Sequence, residues 1–292
     1  MIHPSGDYIV VDPSGSEGYK TINEALANVT EVFSGKEVVM RLSAGEHIVS
    51  GLVLNASLTL SRLEIISSNA FGRTFISSNA PTLLEVRAGS PPVKLQGLEL
   101  DGQVIIEGGT VEVPVEIAGC RFRSSSARPG RRLAARTTMR ALLVLGGHVS
   151  ISDTFFEDLL DGAIEVSGGA LAVRASVFGR NNAERGSALL ITGGQVVVNN
   201  STFKDNLANA TDATDGGAIR VIGTNVSLEL GNKTMITGSK GNGGSVVSDV
   251  PWMFRLPAPL AHYVFNPEQD GVAQNGAGSY DYDYPIPCSA TL

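Results

Sequence analysis

The chain has 292 residues, with 22 Lys and Arg against 29 Asp and Glu, so its formal charge is −7. That length suits one large core or two ordinary domains, and that sign excludes a chain-wide basic face for nucleic acid. Two cysteines exclude a disulfide-dense scaffold and a cysteine-rich zinc site, and no apolar run approaches the roughly 18 residues of a membrane span.

The start, Met1-Ile2-His3-Pro4, lacks the basic and apolar segments of a secretory leader, so the chain is either cytosolic or preceded by one. Thr21-Ile-Asn-Glu24 has capping-box spacing, and Ile22, Leu26, Val29 and Phe33 follow at helical intervals. An amphipathic helix near 21–33 is predicted, in an N-terminal segment 1–37.

From about Val38 the pattern changes to short strands, and four segments end an apolar run in glycine. These are Ala141-Leu-Leu-Val-Leu-Gly146-Gly147, Ala163-Ile-Glu-Val-Ser-Gly168-Gly169, Ala188-Leu-Leu-Ile-Thr-Gly193-Gly194 and Ala218-Ile-Arg-Val-Ile-Gly223. In the first three, an alternating run follows and ends at Phe156, Phe178 or Phe203, each 15 residues after its alanine. The return from phenylalanine to the next alanine varies: 7 residues after Phe156, 10 after Phe178 and 15 after Phe203. A constant arc closed by a variable corner is how a solenoid coil behaves, because the arc must stack in register while insertions leave at a loop.

Period-2 alternation at Val149/Ile151, Leu171/Val173 and Val196/Val198 means strands with one side buried. Val93–Leu100 aligns with Val115–Phe122, 22 residues later. Helical stretches between the strands are absent, which disfavours leucine-rich and βαβ alternatives. The predicted fold is all-β: one right-handed parallel β-helix of roughly nine coils over 38–250, given spacings of about 22–30 residues per coil. Phe122, Phe156, Phe178 and Phe203 are expected to stack inside it. Two residues earlier, Cys120, Thr154, Ser176 and Ser201 form a column of small side chains, so Cys120 is expected to be a buried thiol. Residues 251–292 are predicted to be irregular, with six prolines, the run Tyr280-Asp-Tyr282-Asp-Tyr284 and Cys288.

Glu157, Asp158 and Asp161 cluster after Phe156, and Asp158, Arg180 and Asp205 share one column. Asp158 and Asp205 form the one candidate acid/base pair for glycoside chemistry; the intervening Arg180 favours a salt-bridged ladder instead. His3, His47, His148 and His262 fall in unrelated contexts, and no metal site or cofactor is expected. Arg121, Arg123, Arg128, Arg131, Arg132, Arg136 and Arg140 fall within 20 residues without an acid. Arg128, Arg131, Arg132 and Arg136 are candidates to dock an anionic polymer, the alternative being a solvated loop.

Glycosylation sequons begin at Asn28, Asn55, Asn199, Asn200, Asn209, Asn225 and Asn232, more than composition predicts, although β-helix corners also favour asparagine. Asn199 and Asn200 overlap, and Asn209, in a long corner, is the best acceptor. This excess favours a secreted or cell-surface glycoprotein.

Tyr19-Lys-Thr-Ile-Asn-Glu-Ala-Leu26, followed by Val38-Val-Met-Arg-Leu-Ser-Ala-Gly45, resembles the opening of pectin-lyase-like β-helix proteins. Gly216-Gly-Ala-Ile219, Phe178-Gly-Arg-Asn181 and Phe203-Lys-Asp-Asn206 resemble the paired repeats of chlamydial polymorphic outer-membrane proteins and microbial surface proteins. Enzymes of this fold carry local signatures that are absent here: the Asn-Thr-Asp, Asp-Asp and Gly-His-Gly of polygalacturonases, the Gly-Arg-Pro-Trp of pectin methylesterases, and the Arg-x-Pro-x-x-Arg of pectate lyases. The sole tryptophan, Trp252, lies in Val-Pro-Trp-Met.

The missing catalytic signatures, the excess of sequons and the surface-protein-like repeats together favour a non-catalytic module for adhesion, coat assembly or glycan binding, with a divergent polysaccharide lyase or hydrolase as the alternative. The expected partners are a polysaccharide or glycoprotein surface, and other subunits through Tyr280, Tyr282 and Tyr284.

Overall fold

A computed structural model of the chain describes residues 8–68, 73–123, 139–209, 216–223, 225–231, 233–242, 246–248, 254–255 and 272–274. All strand pairs between these residues are parallel, and the coils stack into three faces. The first face is a ten-stranded sheet running from Tyr8–Val11 to Phe254–Arg255. The second and third belong to one 15-stranded sheet, joined where Thr74–Val86 and Glu99–Ile106 bend around the corner between them. The second face holds Arg121–Phe122, Phe155–Glu157, Val177–Gly179 and Thr202–Lys204, and the third holds Leu142–Val144, Ile164–Val166, Leu189–Ile191 and Ile219–Val221.

The repeat alignment holds residue for residue. His148 pairs with Ala170 and Ala170 with Gln195; Leu95 pairs with Ile117 and Leu100 with Phe122. Between Glu37 and Leu230 the first face has eight strands instead of about nine, because insertions stretch the coils that hold residues 123–141 and 204–219. Parallel pairing continues past residue 250: Phe254–Arg255 pairs with Leu228 and Glu229, and Val272–Gln274 with Val246–Ser248.

Phe122, Phe156, Phe178 and Phe203 are fully buried and stacked, with centroids 4.5, 4.9 and 4.6 Å apart and planes within 9° of parallel. Coil spacing of about 4.8 Å imposes this face-to-face geometry, which free aromatic pairs avoid. Polar ladders flank the stack. On one side the hydroxyls of Thr154, Ser176 and Ser201 each donate to the carbonyl two residues earlier, at 2.8–2.9 Å. The same hydroxyls accept the backbone N–H of Cys120, Thr154 and Ser176 on the preceding coil, at 3.1–3.4 Å. On the other side the Asn181 amide nitrogen donates to Phe156 O at 3.0 Å, and that of Asn206 to Phe178 O at 2.9 Å. Cys120 is buried, and burial pushes its thiol up to about 11.

The helix Ile22–Val32 closes the N-terminal end. Thr21 Oγ1 accepts Glu24 N–H at 3.1 Å, which satisfies one end group of the helix, and Glu24 Oε2 accepts the N–H of Lys20, just before the cap, at 3.2 Å. Ile22, Ala25 and Val29 are buried and merge with the solenoid core.

Candidate functional site

Alternation on the second face turns Phe156 inward and its neighbour Phe155 outward, where it is 38% exposed. Register places Glu99, Arg121 and Phe155 side by side on three successive coils. The Arg121 guanidinium carbon lies 5.1 Å from the Phe155 ring centroid, within cation–π range. Ion pairs run along this face. Arg73 Nε lies 3.5 Å from Glu99 Oε1, Arg121 Nη2 3.9 Å from Glu157 Oε2, and Arg180 Nη2 3.6 Å from Glu157 Oε1.

A groove of about 630 Å³ opens where the first face turns into the second, lined by Arg73, Thr74, Gln96, Glu99, Arg121 and Phe155 among others. Its floor is the corner itself. On every coil from Gly97 onward, the residue three before the inward aromatic or aliphatic side chain has positive φ: Gly97, Gly119, Asp153, Ala175, Asn200 and Lys233. The conformation disfavours side chains without forbidding them, and four coils carry one. The two coils under the groove carry glycine, and a Cβ at Gly119 would meet nothing within 4 Å. The floor is bare because those two positions lack side chains. Among the described residues, Glu99 Oε2 is buried in the wall with no hydrogen-bond partner.

Asp158 and Asp205 both occupy left-handed positions, φ 58° and 54°, two residues after the stacked phenylalanines. Asp158 is taken up by Arg180, whose Nε and Nη2 donate to Oδ1 and Oδ2 at 2.8 and 2.9 Å. These hydrogen bonds hold its carboxyl below the usual carboxylate range, against a smaller opposing effect of burial. Asp205 lies two coils from Asp158, about 9.5 Å at 4.8 Å per step.

Arg121 and Arg123 stand at the strand entering the arginine-rich insertion, and Arg140 stands at its exit. Arg140 is buried. Its Nη1 donates to Gly186 O at 2.7 Å, its Nη2 to Arg185 O, and its Nε lies 3.7 Å from Glu165 Oε2. It ties one coil to later ones, and burial lowers its pKa to about 10. Arg128, Arg131, Arg132 and Arg136 lie outside the described residues, as do Asn232, Tyr280, Tyr282, Tyr284, Trp252 and Cys288.

Asn28, Asn199, Asn200, Asn209 and Asn225 are exposed and Asn55 is half-buried. His47 is buried, with Nε2 2.9 Å from Ser43 O, and burial lowers its pKa. Among the described residues no three His, Cys, Asp or Glu side chains group closely enough to hold a metal ion. No described helix is long and apolar enough to cross a membrane.

Sequence reasoning missed the groove. Its signals were glycine at 97 and 119, where later coils carry side chains, and an outward Phe155 hidden in a Phe-Phe pair. Glu99 and Arg73 carry no local motif; only register brings them to Arg121.

No family model and no curated protein matches this sequence. Among solved structures the chain is similar to the pectin methylesterase of Aspergillus niger in its deglycosylated form, with 12% identity, a TM-score of 0.57, and coverage of 95% of this chain and 93% of that one. A second form of that enzyme, with an N-acetylglucosamine stub, gives 12% identity and a TM-score of 0.51 over the same shares. The fold is therefore that of a pectin-lyase-like right-handed parallel β-helix. Identity this low carries the architecture alone.

Proposed function

We propose that this chain is a non-catalytic extracellular or cell-surface module that binds polysaccharide along the outer side of its second face. One observation carries the reading: Glu99, Glu157 and Asp158 on this face are held in ion pairs, while a part-exposed aromatic ring and a groove lie beside them. Acid/base hydrolysis needs two carboxyl groups whose environments push their pKa values apart. Asp158 is instead kept ionised by a two-pronged contact with Arg180, and Glu157 lies against both Arg121 and Arg180. What remains is recognition chemistry: Phe155, with Arg121 over its ring, repeated polar side chains one coil apart, and the groove. A solenoid face presents such groups at regular intervals, which suits a polymer.

A divergent enzyme is the second reading. It is favoured by Glu99, which lines the groove and whose Oε2 is buried without a hydrogen-bond partner among the described residues. The two structural neighbours are named for an activity on pectin.

Binding of the purified chain to an array of immobilised plant, algal and microbial polysaccharides tests the proposal. Retention on at least one is expected; retention on none overturns it. The sequons support secretion, and peptide mass spectrometry of protein from its native source should find glycans at exposed Asn209 and Asn225. Assembly through Tyr280, Tyr282 and Tyr284 belongs to the same proposal and is tested by light scattering of the full chain.

A further inference from the structure

The geometry points to a subsite for a neutral, hydroxyl-rich sugar ring in the groove over Gly97 and Gly119; this inference rests on the polysaccharide-binding reading and narrows its ligand class. Three features carry it. The first is space. Left-handed corner positions on later coils carry Asp153, Ala175, Asn200 and Lys233, so the fold tolerates side chains there. Glycine at 97 and 119 clears the floor of a groove of about 630 Å³ that Phe155 also lines.

The second is the wall chemistry. Phe155 leaves a part-exposed apolar ring beside the Arg121 guanidinium that lies over it, for contact with the C–H groups of a pyranose. The Glu99 carboxylate, paired through Oε1 with Arg73, adds a fixed negative charge to the wall. Gln96, exposed at the groove, offers sugar hydroxyls an amide that both donates and accepts.

The third is charge balance, which separates neutral from acidic sugars. Each arginine at the groove is matched by a carboxylate: Arg73 with Glu99, Arg121 with Glu157. Just beyond, Arg180 is matched with Asp158. A uronate or sulfate would have to compete for these guanidinium groups and would meet the Glu99 carboxylate directly. A neutral ring leaves every pair intact.

Three proteins test this: the wild-type chain, Gly119→Asn and Phe155→Ala. Asparagine is among the residues that adopt left-handed φ most readily, and its side chain enters the open floor, so Gly119→Asn blocks the groove while keeping the corner. Binding is measured by calorimetry to soluble galactomannan and arabinoxylan, and to polygalacturonate and alginate, at low and high salt, with thermal unfolding as the check on folding. A neutral polymer should bind more tightly, with little change with salt, and both variants should lose about tenfold or more while still unfolding cooperatively well above the binding temperature. Tighter, salt-sensitive binding of the acidic polymers overturns the neutral ligand. Wild-type binding that neither folded variant changes overturns the groove and leaves the polysaccharide-binding reading standing. Wild-type binding to no polysaccharide removes that reading and the subsite with it.

Discussion

Asn206 lies buried directly behind the exposed Asp205, and its amide ties adjacent coils together. Nδ2 donates to Phe178 O at 2.9 Å, and Oδ1 accepts from Asn181 N at 3.2 Å and Asn181 Nδ2 at 3.0 Å. Asn206→Leu keeps the branched shape and strands those partners in the interior. It should cost about 2–4 kcal/mol in urea unfolding, since each unpaired buried group costs roughly 1–3. Phe178→Ala opens a hole in the middle of the aromatic stack and should cost about 3–5 kcal/mol in the same measurement. His47 gives a pH prediction. Burial depresses its folded pKa below the unfolded 6.5, so above 6.5 both states are neutral and the site adds no pH dependence. As pH falls through 6.5 the unfolded state takes up a proton that the folded state resists, and stability declines. The melting temperature should fall between pH 7 and pH 5, and less steeply in His47→Gln; equal slopes would show that His47 is not the group responsible.

The glycine corners separate two kinds of constraint at the scale of the element. Gly147 and Gly119 share positive φ, 68° and 60°. A Cβ at Gly147 would collide with the carbonyl oxygen of Gly108 on the coil beneath, whereas one at Gly119 meets open space. Gly147→Ala should therefore cost several times more than Gly119→Ala, for which the left-handed conformation alone costs about 1–2 kcal/mol; equal costs in denaturant unfolding would contradict the stacked-corner geometry. The Gly-Gly corners, the period-2 strands and the phenylalanine ladder were legible in the sequence because each repeats at a constant offset. The capped helix was legible because Thr21 and Glu24 report a local geometry. Arg140 was not: composition groups it with the solvated arginines, and only the fold takes it inward to backbone carbonyls of later coils. The groove was equally hidden, since it depends on which coils lack a corner side chain.

Across the whole molecule, a β-helix must cover both ends or expose unpaired strand edges. The helix Ile22–Val32 covers one, and Phe254–Arg255 and Val272–Gln274 extend the sheets at the other. Removing residues 251–292 bares the edges of Val226–Leu230 and Val246–Ser248. At equal concentration the 1–250 chain should form larger particles than the full chain, as read by light scattering; a truncated chain that stays monomeric would mean those edges are protected otherwise. Function was less legible than fold because missing enzyme signatures name no ligand, and the faces that could bind one exist only after the coils stack. The most direct test holds the full chain at high concentration overnight with the polysaccharide it binds most tightly. Polymer length is followed by light scattering, and released methanol, acetate and reducing ends by NMR. A recognition module returns the polymer bound, full-length and unmodified. Shortening or de-esterification that disappears in Glu99→Gln would contradict the account and make this β-helix an enzyme.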